Sequence, residues 1–141
     1  MPDSVAEIGS SVFSGCVSLK SVRISNNIES LPSCIFDGCL SLVNINLPST
    51  LVRMEYGAFR NCSKLGFVYL PEGLSRIGDS AFSGCFLLNK IELPQSLSSI
   101  EDDAFSGCKS LDSIAFPKSL KTLVQGLLRE LQLENYIYPM D

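Results

Sequence analysis

The apolar positions of the chain repeat every 23 residues, so that five units can be aligned. In each unit a phenylalanine, a cysteine and a leucine follow one another at steps of three residues. Two further apolar residues complete the pattern Leu-x-x-[Ile/Val]-x-Leu, whose alternating end is typical of a short half-buried strand. One unit reads Phe36, Cys39, Leu42, Ile45 and Leu47. Such a period predicts a stack of coils, each burying its apolar face against its neighbours.

The second half of each unit predicts a corner, another extended segment and a tight turn. A proline follows the strand in four units and should end it, because proline cannot donate to a strand ladder. Two further positions are apolar in every aligned unit, as at Leu74 and Ile77, and they predict the second extended segment. The phrase GDSAFSGC at 78–85 suits one helical or 3-10 turn. The residue before each aligned cysteine is glycine, or Asn61 once, which indicates a corner with positive φ.

The pattern breaks down after Lys118. The segment LVQGLLRELQLE has apolar residues at helical spacing and predicts a longer helix. Terminal repeats are expected to be atypical because one of their faces meets water. We therefore predict a single domain over residues 1–141, with five units in 1–117 and a degenerate C-terminal capping unit, carrying a helix, in 118–141.

The phrase LPxxLxxIxxxAFxxCxxLxxIxL, which runs from Leu70 to Leu93, resembles the 23-residue leucine-rich repeats of BspA-like proteins, also called the Treponema pallidum type. The resemblance implies a mainly β, right-handed solenoid with a parallel sheet on its concave side. It also implies a non-enzymatic interaction or adhesion module of a surface or secreted protein, with a host or extracellular-matrix protein as partner. The start of the chain has no basic and apolar leader pattern, so a cytoplasmic location stays open.

Composition narrows the chemistry further. The net charge of −4 leaves no basic field for phosphates, which argues against nucleic acid. No apolar run reaches the roughly 18–20 residues of a membrane span. The chain has no histidine, which removes Ser-His-Asp triads, Cys-His pairs and histidine zinc sites. We therefore assign no catalytic, cofactor-binding or metal-binding residues and expect no enzyme.

The cysteines allow two interpretations. Stacked coils place equivalent thiols about 4.8 Å apart, so the column could bind metal or form disulfides. C-x-x-C pairs are absent and the column holds an odd number of cysteines, which favours buried thiols that pack as small apolar groups. Cys34 lies outside the column and is predicted to be an exposed, reactive thiol. Asn61-Cys62-Ser63 matches the N-glycosylation pattern, although replacement of the corner glycine explains Asn61 more simply.

The binding site is predicted on the outward positions of the first strands. These positions vary from unit to unit while the core columns do not. Exposed aromatic side chains on a sheet are typical of binding surfaces; in the alternative, Phe67 and Tyr69 cover each other or are covered by the cap. The predicted partner-binding residues are Arg23, Asn44, Asn46, Phe67, Tyr69, Lys90 and Glu92, with Tyr136 and Tyr138 as an extension; Ser113 and Ala115 are the same positions of the fifth unit.

Two other functions fit the same pattern. A structural spacer would self-associate end to end through an unpaired edge of the stack. A glycan-binding surface would use Phe67 and Tyr69 together with the amides of Asn44 and Asn46. Light scattering and glycan binding distinguish these from a protein-binding module.

Overall fold

The structure is a computed structural model that describes residues 1–123. Every repeat contributes short strands, and these strands fall into two series. The first series lies where the Leu-x-x-[Ile/Val]-x-Leu pattern predicts it, and the second lies in the predicted extended segment beyond the proline. The first comprises β1 (Ser21–Arg23), β3 (Asn44–Asn46), β5 (Phe67–Tyr69) and β7 (Lys90–Glu92); the second comprises β2 (Ser30–Leu31), β4 (Arg53–Met54), β6 (Arg76–Ile77), β8 (Ser99–Ile100) and β9 (Thr122–Leu123).

All the strand pairs are parallel and join residues one repeat apart, as Ser21 with Asn44 and Arg76 with Ser99. The predicted parallel-strand solenoid is thus confirmed. The second series forms one continuous sheet in the order β2-β4-β6-β8-β9, whereas the first forms two separate pairs, β1-β3 and β5-β7. The first sheet is therefore interrupted between β3 and β5. Ser113 and Ala115, predicted to continue it, are exposed but lie outside any strand.

A column of stacked phenylalanine rings runs through the core. Neighbouring rings lie 5.4–5.6 Å apart, with interplanar angles of 0–14°. Phe13 is half-buried because the first coil has a neighbour on one side only. The four rings that follow have no exposed surface: Phe36, Phe59, Phe82 and Phe105. The column joins successive coils into one hydrophobic core.

The predicted helical or 3-10 turn consists of separate turns with hydrogen bonds of the i→i+3 type. The amides of Ser83 and Cys85 donate to the carbonyls of Ser80 and Phe82, while the amide of Phe82 donates to Ala104 in the next coil. Because alternate amides bond to the next coil, no continuous helix forms within residues 1–123, and none in that range could cross a membrane. The predicted C-terminal helix, together with Tyr136 and Tyr138, lies outside the described residues.

The glycine corners have the predicted backbone geometry. The φ angle is +76° at Gly84 and +61° at Asn61, which confirms that Asn61 stands in for the corner glycine. A second column has positive φ as well, at 55–61°, although it contains glycine only at Gly57; its other members are Ser11, Cys34, Ser80 and Asp103. Serine and cysteine rarely adopt this conformation, and glycine and aspartate, which adopt it more readily, occur only once each at this position, so this corner was not predicted.

Pro32 ends the second sheet at the N-terminal side. In the next coil the amide of Glu55 donates to the carbonyl of Leu31 at 2.9 Å, and equivalent bonds recur along the stack. Pro32 occupies the position of Glu55 in its own coil and has no N–H to donate towards Ile8. Residues 7–8 accordingly form no strand, and β2 is the edge of the sheet. A proline at this place protects a sheet edge against further pairing.

Candidate functional site

The outward side chains of β1, β3, β5 and β7 form a solvated surface, which we call the first face. In each of these strands the central side chain points inward and the two flanking residues are exposed. Phe67 is 46% exposed and Tyr69 is 63% exposed, in contrast to the interior phenylalanines of the core. The period-2 geometry of a strand requires this arrangement once Val68 is buried between them. The first face therefore presents two aromatic rings to solvent.

The two rings do not cover each other. Neither Phe67 nor Tyr69 takes part in a ring stack among residues 1–123, and both keep about half or more of their surface in water. The other alternative, in which the C-terminal cap covers Phe67 and Tyr69, involves residues outside the described range. The alternative in which the two aromatics hide one another is therefore not supported by their geometry.

Polar residues flank the aromatic pair on both sides. Asn44 and Asn46 are exposed on β3, across the interruption of the sheet. On the other side Phe67 and Tyr69 are in register with Lys90 and Glu92 of β7. The Lys90 ammonium and Glu92 carboxylate form an ion pair at 3.0 Å, with both side chains about two-thirds exposed. Such a pair is worth at most about 1 kcal/mol, so both groups are available to a partner.

Arg23 is engaged within its own chain. One guanidinium nitrogen donates to both carboxylate oxygens of Asp3 at 3.1 Å, and another donates to the carbonyl of Met1 at 3.2 Å. Hydrogen bonds from the Asn26 amide and from Arg23 lower the pKa of Asp3 below its usual value. Arg23 thus lies at the predicted place on the first face, but a partner would have to compete with Asp3 for it.

The cysteine column belongs to the core. Sγ of Cys85 donates to the carbonyl of Phe59 in the preceding coil at 3.2 Å, and Cys39, Cys62 and Cys108 make equivalent bonds. Burial raises the pKa of Cys39 to about 11, and it raises those of Cys62 and Cys85 as well. The predicted packing role is confirmed for these four thiols, whereas Cys16 in the first coil is half-buried. The hydrogen bond from the thiol to the phenylalanine carbonyl was not predicted. It recurs because each bonded pair of Cys and Phe is separated by the same 26 residues.

Cys34 and Asn61 have local structural roles. Cys34 is half-buried rather than fully exposed, because it packs against Gly57, where an added Cβ would lie 3.3 Å from Sγ. Its reactivity stays a prediction. The Asn61 side chain is exposed and its amide donates to a carboxylate oxygen of Asp37 at 3.2 Å. Glycosylation at this residue also stays a prediction.

A ladder of opposite charges on the second sheet was missed by the sequence analysis. The Glu55 carboxylate lies 3.2 Å from Arg53 and 3.6 Å from Arg76, and Arg76 lies 2.7 Å from Glu101. The sequence does indicate this ladder, because Arg53 and Arg76 are 23 residues apart and Glu55 and Glu101 are two repeats apart. The charges satisfy one another, so this surface offers a partner little unpaired charge. No group of three His, Cys, Asp or Glu in residues 1–123 is placed to hold a metal ion.

A notch near the glycine corners was also missed. Exposed Leu40 and Phe86 stand on either side of the smaller Ser63, at the same position in three successive coils. The space between them measures about 370 Å³ and is open to solvent. In the sequence, the notch is visible as a large, a small and a large residue at the same position of three successive units. The full lining, which we call the notch, consists of Gly38, Leu40, Asn61, Ser63, Gly84 and Phe86.

Comparison with solved structures gives two informative neighbours. The chain is similar to the T. pallidum leucine-rich repeat protein, with a TM-score of 0.71 and 27% identity over 94% of this chain and 78% of that protein. It is similar to a leucine-rich cell surface protein from Faecalibacterium prausnitzii, with a TM-score of 0.79 and 28% identity over 97% of this chain. This chain spans 35% of the length of the second protein. A comparison with curated proteins finds no significant match.

A family model settles the relationship. The model described as a BspA type leucine rich repeat region (6 copies) matches residues 1–96 and 76–141. These ranges include the five aligned units and also the C-terminal unit. The match agrees with the 23-residue period, the parallel strands and the stacked core. The chain therefore belongs to the BspA-type leucine-rich repeat family.

Proposed function

We propose that this protein is a non-enzymatic protein-binding module of the adhesion type that uses the first face. The observation that carries the proposal is the exposure of Phe67 and Tyr69, 46% and 63%, on a sheet whose inward positions are buried. Aromatic side chains dominate the energy of many protein interfaces. Held on short strands above a stacked core, they bind without a large cost of ordering.

Polar residues on both sides of Phe67 and Tyr69 are suited to form the rim of an interface. Asn44 and Asn46 lie on one side, and the weakly coupled Lys90 and Glu92 lie on the other. Interfaces commonly combine an apolar centre with polar residues that stay accessible at the rim. The order of residues across β3, β5 and β7 fits this arrangement.

The absence of an acid and base pair on the first face supports a binding function over catalysis. Glu92 is the one carboxylate among the outward residues of β1, β3, β5 and β7, and it is paired with Lys90. Many enzymes that use acid–base catalysis pair two titratable groups whose surroundings separate their acid and base roles. The family model describes a repeat region rather than a catalytic domain.

The proposal includes a cell-surface or secreted location. The similar protein from Faecalibacterium prausnitzii is described as a leucine-rich cell surface protein. Since this chain spans 35% of that protein, the location of the whole protein is carried over only as part of the proposal. Exposure to other cells and to matrix proteins would give the first face its partners.

The test is a binding screen of the immobilised chain against a panel of purified extracellular-matrix and cell-surface proteins. A partner that binds the chain should bind the double variant Phe67→Ala/Tyr69→Ala at least about tenfold more weakly, as expected when aromatic anchors are truncated. The matched control replaces Val12 and Val52, which are 54% and 39% exposed and lie outside the first face. Unchanged binding by the aromatic double variant would exclude the first face.

A glycan is the second candidate ligand. Asn44 and Asn46 present exposed amides beside the exposed rings of Phe67 and Tyr69, and sugars bind by hydrogen bonds to amides and stacking on rings. A glycan array probed with the same three chains distinguishes the two ligands. Selective glycan binding that the aromatic double variant loses, with no protein partner, would replace the protein proposal by this one.

A further inference from the structure

The notch differs from the rest of the repeat surface in shape. Its walls are Leu40 and Phe86, which are 46% and 47% exposed, and Ser63 lies between them. Because Ser63 is much smaller than the equivalent residues of the coils on either side, the column is indented there. A volume of about 370 Å³ lies at the low end of the roughly 300–1,000 Å³ found for ligand pockets. A space of this size suits one side chain better than an extended ligand.

The side walls of the notch, Leu40 and Phe86, are apolar, and two lysines neighbour residues of its lining. The ammonium of Lys109 lies 5.4 Å from the centre of the Phe86 ring, and Lys64 follows Ser63 directly. Both lysines are exposed, and neither has an ion-pair partner among the described residues. An apolar side chain that enters the notch would therefore bring its flanking residues close to two unneutralised positive charges.

The charge of residues 1–123 is segregated in the same sense. The stretches that lead from each glycine corner through the first strand carry five basic and two acidic residues, a net charge of +3. The rest of residues 1–123 carries five basic and ten acidic residues, a net charge of −5. Such a local field on an acidic protein attracts acidic partners and repels basic ones. The stretches concerned are 17–23, 40–46, 63–69, 86–92 and 109–115.

We propose that the notch is a second binding site, which takes one apolar side chain of a partner polypeptide from a segment with acidic residues on both sides. The site deepens the proposed protein-binding function, and its lining includes neither Phe67 nor Tyr69. Leu40 and Phe86 contact the inserted side chain, and Lys64 and Lys109 attract the flanking carboxylates. A phosphate polymer fits poorly, because two lysines release few counterions and the walls are apolar.

The test uses labelled peptides in fluorescence anisotropy. One probe has a single Phe flanked by Asp and Glu in a Gly/Ser frame; the second has Lys and Arg in place of the acidic residues, and the third has Ser. The acidic probe should bind most tightly and lose affinity as salt rises. Equal binding of all three probes, or no binding of the acidic probe at millimolar concentration, would overturn the proposal.

Two variants separate the notch from a general apolar patch. Ser63→Leu fills the notch while adding apolar surface, so it should weaken binding of the acidic probe at least about fivefold. Lys64→Glu/Lys109→Glu should weaken it by a similar factor and reverse the salt dependence. Tighter binding by Ser63→Leu would refute insertion into the notch.

The first-face variant is the control that keeps the two proposals separate. Phe67→Ala/Tyr69→Ala should bind the acidic probe as the native chain does, because it leaves the notch intact. Loss of the probe in this variant would mean that the peptide binds the first face instead. Unfolding curves of all variants confirm that the fold is retained.

Discussion

Replacing one interior phenylalanine measures how much the stacked ring column contributes to stability. Phe82 has no exposed surface and stacks on Phe59 at 5.4 Å and on Phe105 at 5.6 Å. A buried change from Phe to Ala costs about 3–5 kcal/mol, and two ring pairs are lost at once. We expect Phe82→Ala to lower the free energy of unfolding by this amount.

Phe13→Ala is the matched variant at the end of the column. Phe13 is half-buried and stacks only on Phe36, at 5.5 Å. Half the burial energy of a large side chain and one ring pair amount to about 1–3 kcal/mol. The two variants remove the same atoms, so the difference between them, about 2 kcal/mol, isolates the effect of position in the stack.

Urea unfolding followed by far-UV circular dichroism provides the two free energies. With a slope of about 1–3 kcal/mol per molar urea, a loss of 3–5 kcal/mol moves the midpoint by more than about 1 M. Hydrogen exchange adds a local readout, since Phe13→Ala should speed exchange mainly in the first coil. Equal losses in the two variants, or a loss below about 1 kcal/mol for Phe82→Ala, would refute a core organised by this column.

Two further predictions concern the thiols and the corners. A thiol reagent at pH 8 should modify Cys16 and Cys34 in the folded chain, but the buried cysteines only after unfolding. Burial raises the pKa of Cys39 from 9.0 to about 11, so the Cys39 thiol deprotonates at lower pH in the unfolded chain than in the folded chain. The free energy of unfolding should therefore fall between about pH 9 and 11, and it should fall less in Cys39→Ala. Equal labelling of all thiols, or a flat alkaline profile, would contradict this. Gly84→Ala should cost more than Gly15→Ala, which itself loses about 1–2 kcal/mol to its positive φ. At Gly84 the new Cβ would lie 2.6 Å from the side-chain oxygen of Asn61, so this side chain must move and give up its hydrogen bond to Asp37. Equal losses, measured by urea unfolding, would exclude that contact.

The repeated features of the fold could be predicted because each is written several times. The alternation around Val68 predicts its strand, and the change from Gly84 to Asn61 at one position predicts a corner with positive φ. Burial of Cys85 follows from its place in an apolar column. In each case the same physical requirement recurs every 23 residues, so the sequence reports it repeatedly.

Features that depend on a single residue were harder to predict. Pro32 ends a sheet because it lacks the N–H with which its equivalent, Glu55, donates to Leu31 in the preceding coil, and this becomes visible only when the strands are paired. Arg23 was predicted to face a partner, but its pairing with Asp3 depends on how the first coil closes. The notch depends on Ser63 lying between two large residues of neighbouring coils. These are contacts between coils, which a pattern read along the chain does not display.

The central claim is that Phe67 and Tyr69 bind a partner without being needed for the fold. The most direct measurement compares the native chain and Phe67→Ala/Tyr69→Ala for affinity towards a captured protein and for thermal stability. Because both rings are about half or more exposed, we expect a large loss of affinity and a nearly unchanged melting temperature. A large loss of stability with undiminished binding would contradict the account.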